Sequence, residues 1–225
     1  MIDLYTWTTP NGRKASIALE EMGLPYKAHA IDISKDEQFA PAFLKISPNN
    51  RIPAIVDNDN GLSLFESGAV LIYLADKTGK LMPKDGEKRY RVMEWLMWQM
   101  GGVGPMLGQV HHFVKYNKGK APYAEERYSK EAQRLYGVLD RRLEGREFLV
   151  DEYSIADIAT WPWISRFEWQ EIDLDKFPNV KRWYTTIAAR PAVQRGYKQP
   201  KDVGDIPMPI GARQADLACG AANTA

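Results

Sequence analysis

Two short stretches constrain this chain more than any other feature: Arg51-Ile52-Pro53-Ala54 and Glu66-Ser67-Gly68-Ala69. Between them lie two extended segments, 54–57 and 62–65, around Asn58-Asp59-Asn60-Gly61, a strong hairpin signal. Pro53 falls where the first segment begins, and an X-Pro bond can adopt the cis form at modest cost. Glu66 and Ser67 open a helical run over 67–77. The N–H groups at a helix start are unpaired and electropositive, so they can hold a carboxylate. A strand edge beside such a proline can pair with the backbone of a peptide-like ligand. Together these features point to a site for a small, anionic, peptide-like molecule.

The segments around this hairpin alternate in type. Residues 2–5 form a short apolar strand, and 11–22 have helical spacing closed by Gly23. Residues 26–31 read as a second strand. The polar stretch 33–50 holds a short helical piece near 39–46. The order β-α-β-α-β-β-α is thioredoxin-like. Residues 78–86 hold Gly79, Pro83 and Gly86 and read as a linker. Beyond them the pattern is helical with no convincing strand. Helices are expected over 87–116, 123–143, from Ser154 to about Phe167, and over 179–189 and 192–197. Pro105, within Gly101-Gly102-Val103-Gly104-Pro105, should kink or break the first of these. Ser154-Ile155-Ala156-Asp157 has capping-box spacing, with Asp in place of the usual Glu. Residues 200–225 carry Pro, Gly, Ala and small polar residues without periodicity and read as an irregular tail.

The expected class is therefore α+β. A thioredoxin-like βαβαββα domain spans 1–77, a linker 78–86, and an all-α helical domain 87–199. At 44% hydrophobic residues the 225-residue chain can build a sizeable core. Net charge is +1, with 7 basic against 10 acidic residues in 1–77 and 23 against 19 in the remainder. Neither part is a polyelectrolyte, which argues against a nucleic-acid partner. No apolar run approaches the ~18 residues of a membrane span, and Met1-Ile2-Asp3 leads into a strand without a leader pattern. One cysteine, Cys219, excludes an intrachain disulfide and favours a reducing, cytoplasmic setting.

Several runs carry a family resemblance: Thr8-Thr9-Pro10-Asn11-Gly12, Ser47-Pro48-Asn49-Asn50-Arg51-Ile52-Pro53-Ala54-Ile55-Val56, Leu64-Phe65-Glu66-Ser67-Gly68-Ala69-Val70 and Gly104-Pro105-Met106-Leu107-Gly108-Gln109-Val110-His111-His112-Phe113. Over about nine tenths of its length the chain resembles the cytosolic glutathione transferases. It is most similar to bacterial Nu-class-like enzymes that act as glutathione-dependent disulfide-bond reductases. The resemblance implies the glutathione transferase fold, a homodimer, and glutathione or oxidised glutathione as ligand, with a small disulfide or an electrophile as second substrate.

It also implies roles. On spacing alone, Thr9-Pro10-Asn11-Gly12 reads as a turn and helix N-cap. Most relatives place Tyr, Ser or Cys here, and the resemblance makes Thr9 and Asn11 the groups that stabilise a glutathione thiolate. A free thiol has a pKa near 8.5, so the protein must favour the anion. Ile52 and Pro53 would pair with the cysteinyl backbone, and Glu66 and Ser67 would take the γ-glutamyl ammonium and carboxylate. Arg51 would meet the glycyl carboxylate. Gln38 and Arg127 match glutathione contacts of the subgroup, although alone they read as a solvated loop residue and a surface charge. Trp7, in the loop after the first strand, can wall the second-substrate pocket. Trp161, Trp163 and Trp169 read as core.

No metal is expected. His111 and His112 point about 100° apart on a helix, so they do not chelate as an i, i+4 pair would. The pair is expected to line an interdomain cleft or a dimer contact. Without a protein cysteine, both thiols of a disulfide exchange must come from glutathione, and the site should hold two. Conjugation to an electrophile is the competing enzymatic reading. A non-catalytic glutathione-binding carrier or regulator is the alternative of another class. An exposed face comprising Phe65 and the 70–74 stretch would suit a two-fold interface.

Overall fold

The computed structural model describes residues 1–209. Cys219 and the part of the expected tail beyond 209 lie outside them. The described chain forms two compact units, Met1–Val92 with Pro191–Asp205, and Met93–Arg190 with 206–209.

The first unit is built on four strands, β1 (Ile2–Thr6), β2 (Tyr26–Ala30), β3 (Ala54–Asp57) and β4 (Leu62–Phe65), in the order β2-β1-β3-β4. β1 and β2 run parallel, and the other two pairs are antiparallel. The parallel pair needs a crossover, supplied by α1 (Pro10–Met22). Thr9 caps α1, its hydroxyl accepting from Gly12 N–H at 3.2 Å, and Gly23 closes it at φ 69°. A four-residue helix, α2 (Pro41–Leu44), precedes β3, and α3 (Ser67–Thr78) follows β4. This is the predicted βαβαββα order.

Residues 12–19 of α1 are all buried, which an ordinary amphipathic helix would not show. The cause is a second cover. Besides α3, α1 packs against α9 (Pro191–Tyr197), a helix that the sequence pattern groups with the helical part. The two backbones touch. A Cβ on Gly196 would lie 2.7 Å from the Ile17 Cα, and the Ser16 hydroxyl donates to Gly196 C=O at 2.7 Å. Val70, Leu71 and Leu74 of α3 are fully buried within the unit. Of the expected 70–74 contact face, these three side chains are spent on the core, while Ile72, Tyr73 and Phe65 stay half-buried.

The second unit is helical. α4 (Gly86–Trp98) leads into it. The break predicted at 101–105 is absent. Gln99–Val103 winds as π-turns, α5 (Gly104–Val110) follows directly, and His111–Tyr116 is again π-helical. A π-turn carries its hydrogen bonds one residue further, and Gly104 N–H reaches Gln99 C=O in this way. The widened turn thus absorbs a proline that has no N–H to place. The glycines there face a side chain: Cβ atoms on Gly104 and Gly108 would lie 3.4 and 3.5 Å from the Trp163 indole.

α6 (Pro122–Leu143) buries Ala132, Leu135, Tyr136, Leu139 and Leu143, the i, i+3, i+4 stripe of a core-facing helix. It packs on α5 and α8 (Pro178–Ala188). α7 (Ile155–Ile164) is buried along its whole length, including Trp161 and Trp163. Its Ser154–Asp157 capping box is present. The Asp157 carboxylate also accepts from Leu149 N–H at 3.0 Å and Trp183 Nε1–H at 2.9 Å, so one side chain ties three segments together. Burial pushes its carboxyl up to about 6, against the pull of these donors.

His111 is a second correction. It turns inward, stacked on Trp163 with ring centroids 5.6 Å apart, and its Nε2 accepts from Gln170 Nε2–H at 3.1 Å. Gln170 also donates to Trp163 C=O and accepts from the Tyr136 hydroxyl. Burial, then the Arg166 charge, push the imidazole down to about 4, so this is a neutral core histidine. His112 is exposed.

Asp157→Ala would strand the Leu149, Ser154 and Trp183 N–H groups. The expected loss is about 3–5 kcal/mol of folding free energy, read as a fall in the urea midpoint.

Candidate functional site

The sheet register gathers the predicted residues of the first unit at one end. Tyr5 pairs with Ala54, and Ala54 pairs with Phe65. The chain leaving β1 (Trp7 to Asn11), the chain entering β3 (Arg51 to Pro53) and the chain leaving β4 (Glu66, Ser67) therefore meet at that end. The Ile52–Pro53 bond is cis.

The β1–α1 loop is fixed by close approach. Thr9 N–H bonds back to Trp7 C=O at 2.7 Å, and a Cβ on Gly12 would lie 2.2 Å from that same oxygen. Glycine at this position brings the first turn of α1 down onto the loop. Thr9 Oγ1 spends an acceptor site on Gly12 N–H, which leaves its O–H available to donate. Asn11, half-buried, sits in the same first turn. Trp7 is half-buried, and the Lys201 ammonium lies over its ring, 4.1 Å from the centroid. The described end of the chain thus passes beside the loop that was expected to wall a second-substrate pocket.

Ile52 makes no backbone hydrogen bond among the described residues, so its N–H and C=O remain open to a ligand. Its neighbour is anchored: the Ser47 hydroxyl donates to Arg51 C=O at 2.8 Å. The Arg51 side chain is exposed and folds onto Asn50, donating to its side-chain oxygen at 2.9 Å. Gln38, in the loop after β2, is buried rather than solvated. Its amide nitrogen donates to Asp36 at 3.4 Å, and its Oε1 has no partner among the described residues.

Glu66 is the N-cap of α3 at φ 70°, ψ 113°, a conformation rare outside glycine. It makes no side-chain cap bond. Its carboxylate instead accepts from Asn49 Nδ2 at 3.3 Å. Ser67 follows, almost fully buried, with its hydroxyl oxygen accepting from the Lys14 ammonium at 3.2 Å. Lys14 was missed in the sequence. The available signal was its place one turn before Ile17 and Ala18, both buried, which puts a lysine on an apolar face.

Arg127 belongs to the second unit. It lines a hollow of about 540 Å³ with Met106, Tyr123, Tyr128, Glu131 and Arg134, between α5 and α6. Among the described residues no cluster of His, Cys, Asp and Glu could hold a metal ion, and no helix is long and apolar enough to cross a membrane.

Residues 1–76 match the family described as "Glutathione S-transferase, N-terminal domain", and 103–191 match its C-terminal domain. The chain belongs to the glutathione S-transferase family. It is 54% identical over 198 residues to the Escherichia coli disulfide-bond oxidoreductase YfcG, an alignment covering 85% of this chain and 92% of that one. It is 39% identical over 211 residues to the E. coli disulfide-bond oxidoreductase YghU, covering 87% and 73%. A Burkholderia graminis glutathione transferase structure with two glutathione molecules per subunit superposes with a TM-score of 0.83 at 49% identity, covering 89% and 88%. One from Pseudomonas putida, with one glutathione disulfide per subunit, gives 0.84 at 47%, covering 88% and 91%.

Gly12→Ala would drive a methyl group into the Trp7 carbonyl. We expect a loss of about 1–3 kcal/mol in urea unfolding, together with weaker ligand binding because the first turn of α1 must back away.

Proposed function

We propose that this protein is a glutathione-dependent disulfide-bond reductase. The observation that carries the proposal is the first turn of α1. It offers the Thr9 hydroxyl, the Asn11 amide and a helix N-terminus at the loop after β1, and it offers no thiol, since the single cysteine is Cys219. Such a turn stabilises a bound thiolate by hydrogen bonds and the helix dipole. It cannot form a mixed disulfide itself.

Both thiols then come from glutathione. In the first step the thiolate attacks one sulfur of a disulfide, forming a mixed glutathionyl disulfide and expelling the other half as thiolate. In the second, another glutathione thiolate attacks the glutathione sulfur of the mixed disulfide. Oxidised glutathione forms and the substrate thiol leaves. Ile52 supplies backbone pairing for the cysteinyl residue, and cis-Pro53 turns the chain beside it. Glu66 and Ser67 take the γ-glutamyl ammonium and carboxylate, and Arg51 the glycyl carboxylate. The buried, unpartnered Gln38 Oε1 suits a ligand N–H. Arg127 is assigned to glutathione, and Trp7 to the wall of the second-substrate pocket. The oxidised and reduced glutathiones held by the related structures support a site of this capacity. The setting is cytoplasmic, where glutathione keeps thiols reduced.

The test pairs two assays: reduction of 2-hydroxyethyl disulfide coupled to glutathione reductase, and conjugation of a chloronitrobenzene. Reduction should exceed conjugation, and Asn11→Ala or Thr9→Ala should lower reductase kcat/KM by about 100-fold, as for loss of one oxyanion donor. Faster conjugation than reduction would reassign the chain as a conventional transferase.

A second copy of the chain is the proposed macromolecular partner. Tyr90 and Met97 on α4 are 70% and 48% exposed and, seven residues apart, share a helix face. Sedimentation velocity should give a dimer, and Met97→Asp should shift it to a monomer.

A further inference from the structure

Lys201 is a charge that the reduction steps do not use. It is exposed, on the stretch that follows α9, and its ammonium lies 4.1 Å from the centroid of the Trp7 ring. That stretch is anchored. α9 packs on α1, Lys198 pairs with Asp202 at 3.1 Å, and the Asp202 carboxylate accepts from Gly204 N–H at 2.9 Å. The acids around Lys201 are engaged with other groups. Asp202 holds Lys198, whose ammonium also lies 4.0 Å from Asp205. Asp32, after β2, accepts from Ser34 N–H at 3.0 Å and lies 3.8 Å from Lys35. Lys201 acts on Asp32 through its field alone and makes no ion pair among the described residues.

We propose that Lys201 is a specificity-determining residue that selects disulfides carrying a carboxylate near the sulfurs. The inference rests on the reductase reading given above. What carries it is the kind of partner that holds the ammonium. An ion pair would cancel the charge. An aromatic ring attracts a cation through its quadrupole and has no net charge with which to cancel it. Trp7 thus fixes a cation in place and leaves its charge intact. The place is close to the proposed chemistry. Thr9 N–H bonds Trp7 C=O at 2.7 Å, and Gly12 brings the first turn of α1 onto that same oxygen. Trp7 and Thr9 are two residues apart, at most about 7.6 Å along the Cα trace. The ammonium therefore stands on the order of one Debye length from the thiolate donors at physiological salt. With Trp7 as a wall of the second-substrate pocket, the charge lies at the rim of that pocket.

Two effects favour the same substrates. Before contact, the field of a fixed cation raises the local concentration of anions and speeds their encounter. In the complex, a carboxylate on the disulfide's arm meets an ammonium that has no acid of its own. Both effects are Coulombic, so salt weakens them, and a neutral disulfide gains neither. Packing of Lys201 on Trp7 would by itself produce no such dependence on substrate charge.

The experiment follows reduction of three disulfides by the full chain, coupled to glutathione reductase: 3,3′-dithiodipropionate, doubly negative; 2-hydroxyethyl disulfide, neutral; and cystamine, doubly positive. Each kcat/KM is divided by the uncatalysed rate with glutathione, which removes the intrinsic reactivity of the disulfide. Wild type at low salt should rank them in that order. Lys201→Gln should lower the ratio of the first to the second by about 3- to 10-fold, the scale of one charge a few ångströms away in water-like surroundings. Lys201→Glu should lower it further and raise the ratio of cystamine to the neutral disulfide. Raising the salt from about 0.02 to about 0.5 M should bring the wild-type ratio towards that of Lys201→Gln. The salt series on wild type decides the matter if the variants do not fold. An equal fall for all three disulfides in Lys201→Gln would make Lys201 a thiolate-stabilising charge and overturn the inference. A ratio that neither Lys201→Gln nor salt alters would overturn it too. Both of these outcomes leave the reductase reading standing. If wild type reduces none of the three, that reading falls and the inference falls with it.

Discussion

The first unit depends on how α1 is enclosed. Residues 12–19 are all buried, and four of them, Gly12, Arg13, Lys14 and Ser16, are not apolar side chains. Burying polar groups is tolerable only when each finds a partner, so the surroundings of α1 are dictated by what those residues require. Arg13 and Ser16 reach α9, through the Tyr197 ring and carbonyl and the Gly196 carbonyl. Lys14 reaches Ser67 at the head of α3. Gly12 admits the Trp7 carbonyl. One helix thereby fixes the last described helix, the start of α3 and the loop after β1. The last two of these supply much of the candidate site, so fold and site are held by the same contacts.

Most of the architecture was legible because its signals are local. Strand periodicity, the Asn58–Gly61 turn, the Thr9 cap and the Ser154–Asp157 capping box each depend on residues within a few positions. What failed depended on neighbours that the sequence does not announce. Pro105 reads as a breaker, yet the helix passes it because a π-turn supplies an alternative hydrogen-bond pattern. The apolar 70–74 stretch reads as a contact face, and the core claims Val70, Leu71 and Leu74 of it. His111 reads as a cleft residue until Gln170, remote in sequence, is seen to hold it.

The site shows the same division. Its residues were legible through motif and resemblance, but their environments were not. Gln38 reads as a solvated loop amide and is instead buried with an unpartnered oxygen. Glu66 carries a positive φ that no propensity scale foretells. Lys201 lies over Trp7 from the far end of the chain, a contact that no local pattern encodes.

These environments bear on the chemistry in one direction. A thiolate at the α1 N-terminus needs donors that are already oriented, because reorienting them during reaction would cost what they gain. Thr9 is oriented by its bond from Gly12 N–H. Ser67 is oriented by Lys14, and Glu66 by a strained turn. Strain of this kind persists only where the surrounding structure holds it in place, and here the neighbours that do so are β4 behind Glu66, α3 ahead of it and Asn49 on its carboxylate. A first turn without a thiol then follows the same logic. The protein contributes fixed dipoles and charges, the ligand contributes the sulfur, and exchange proceeds without a covalent bond to the chain.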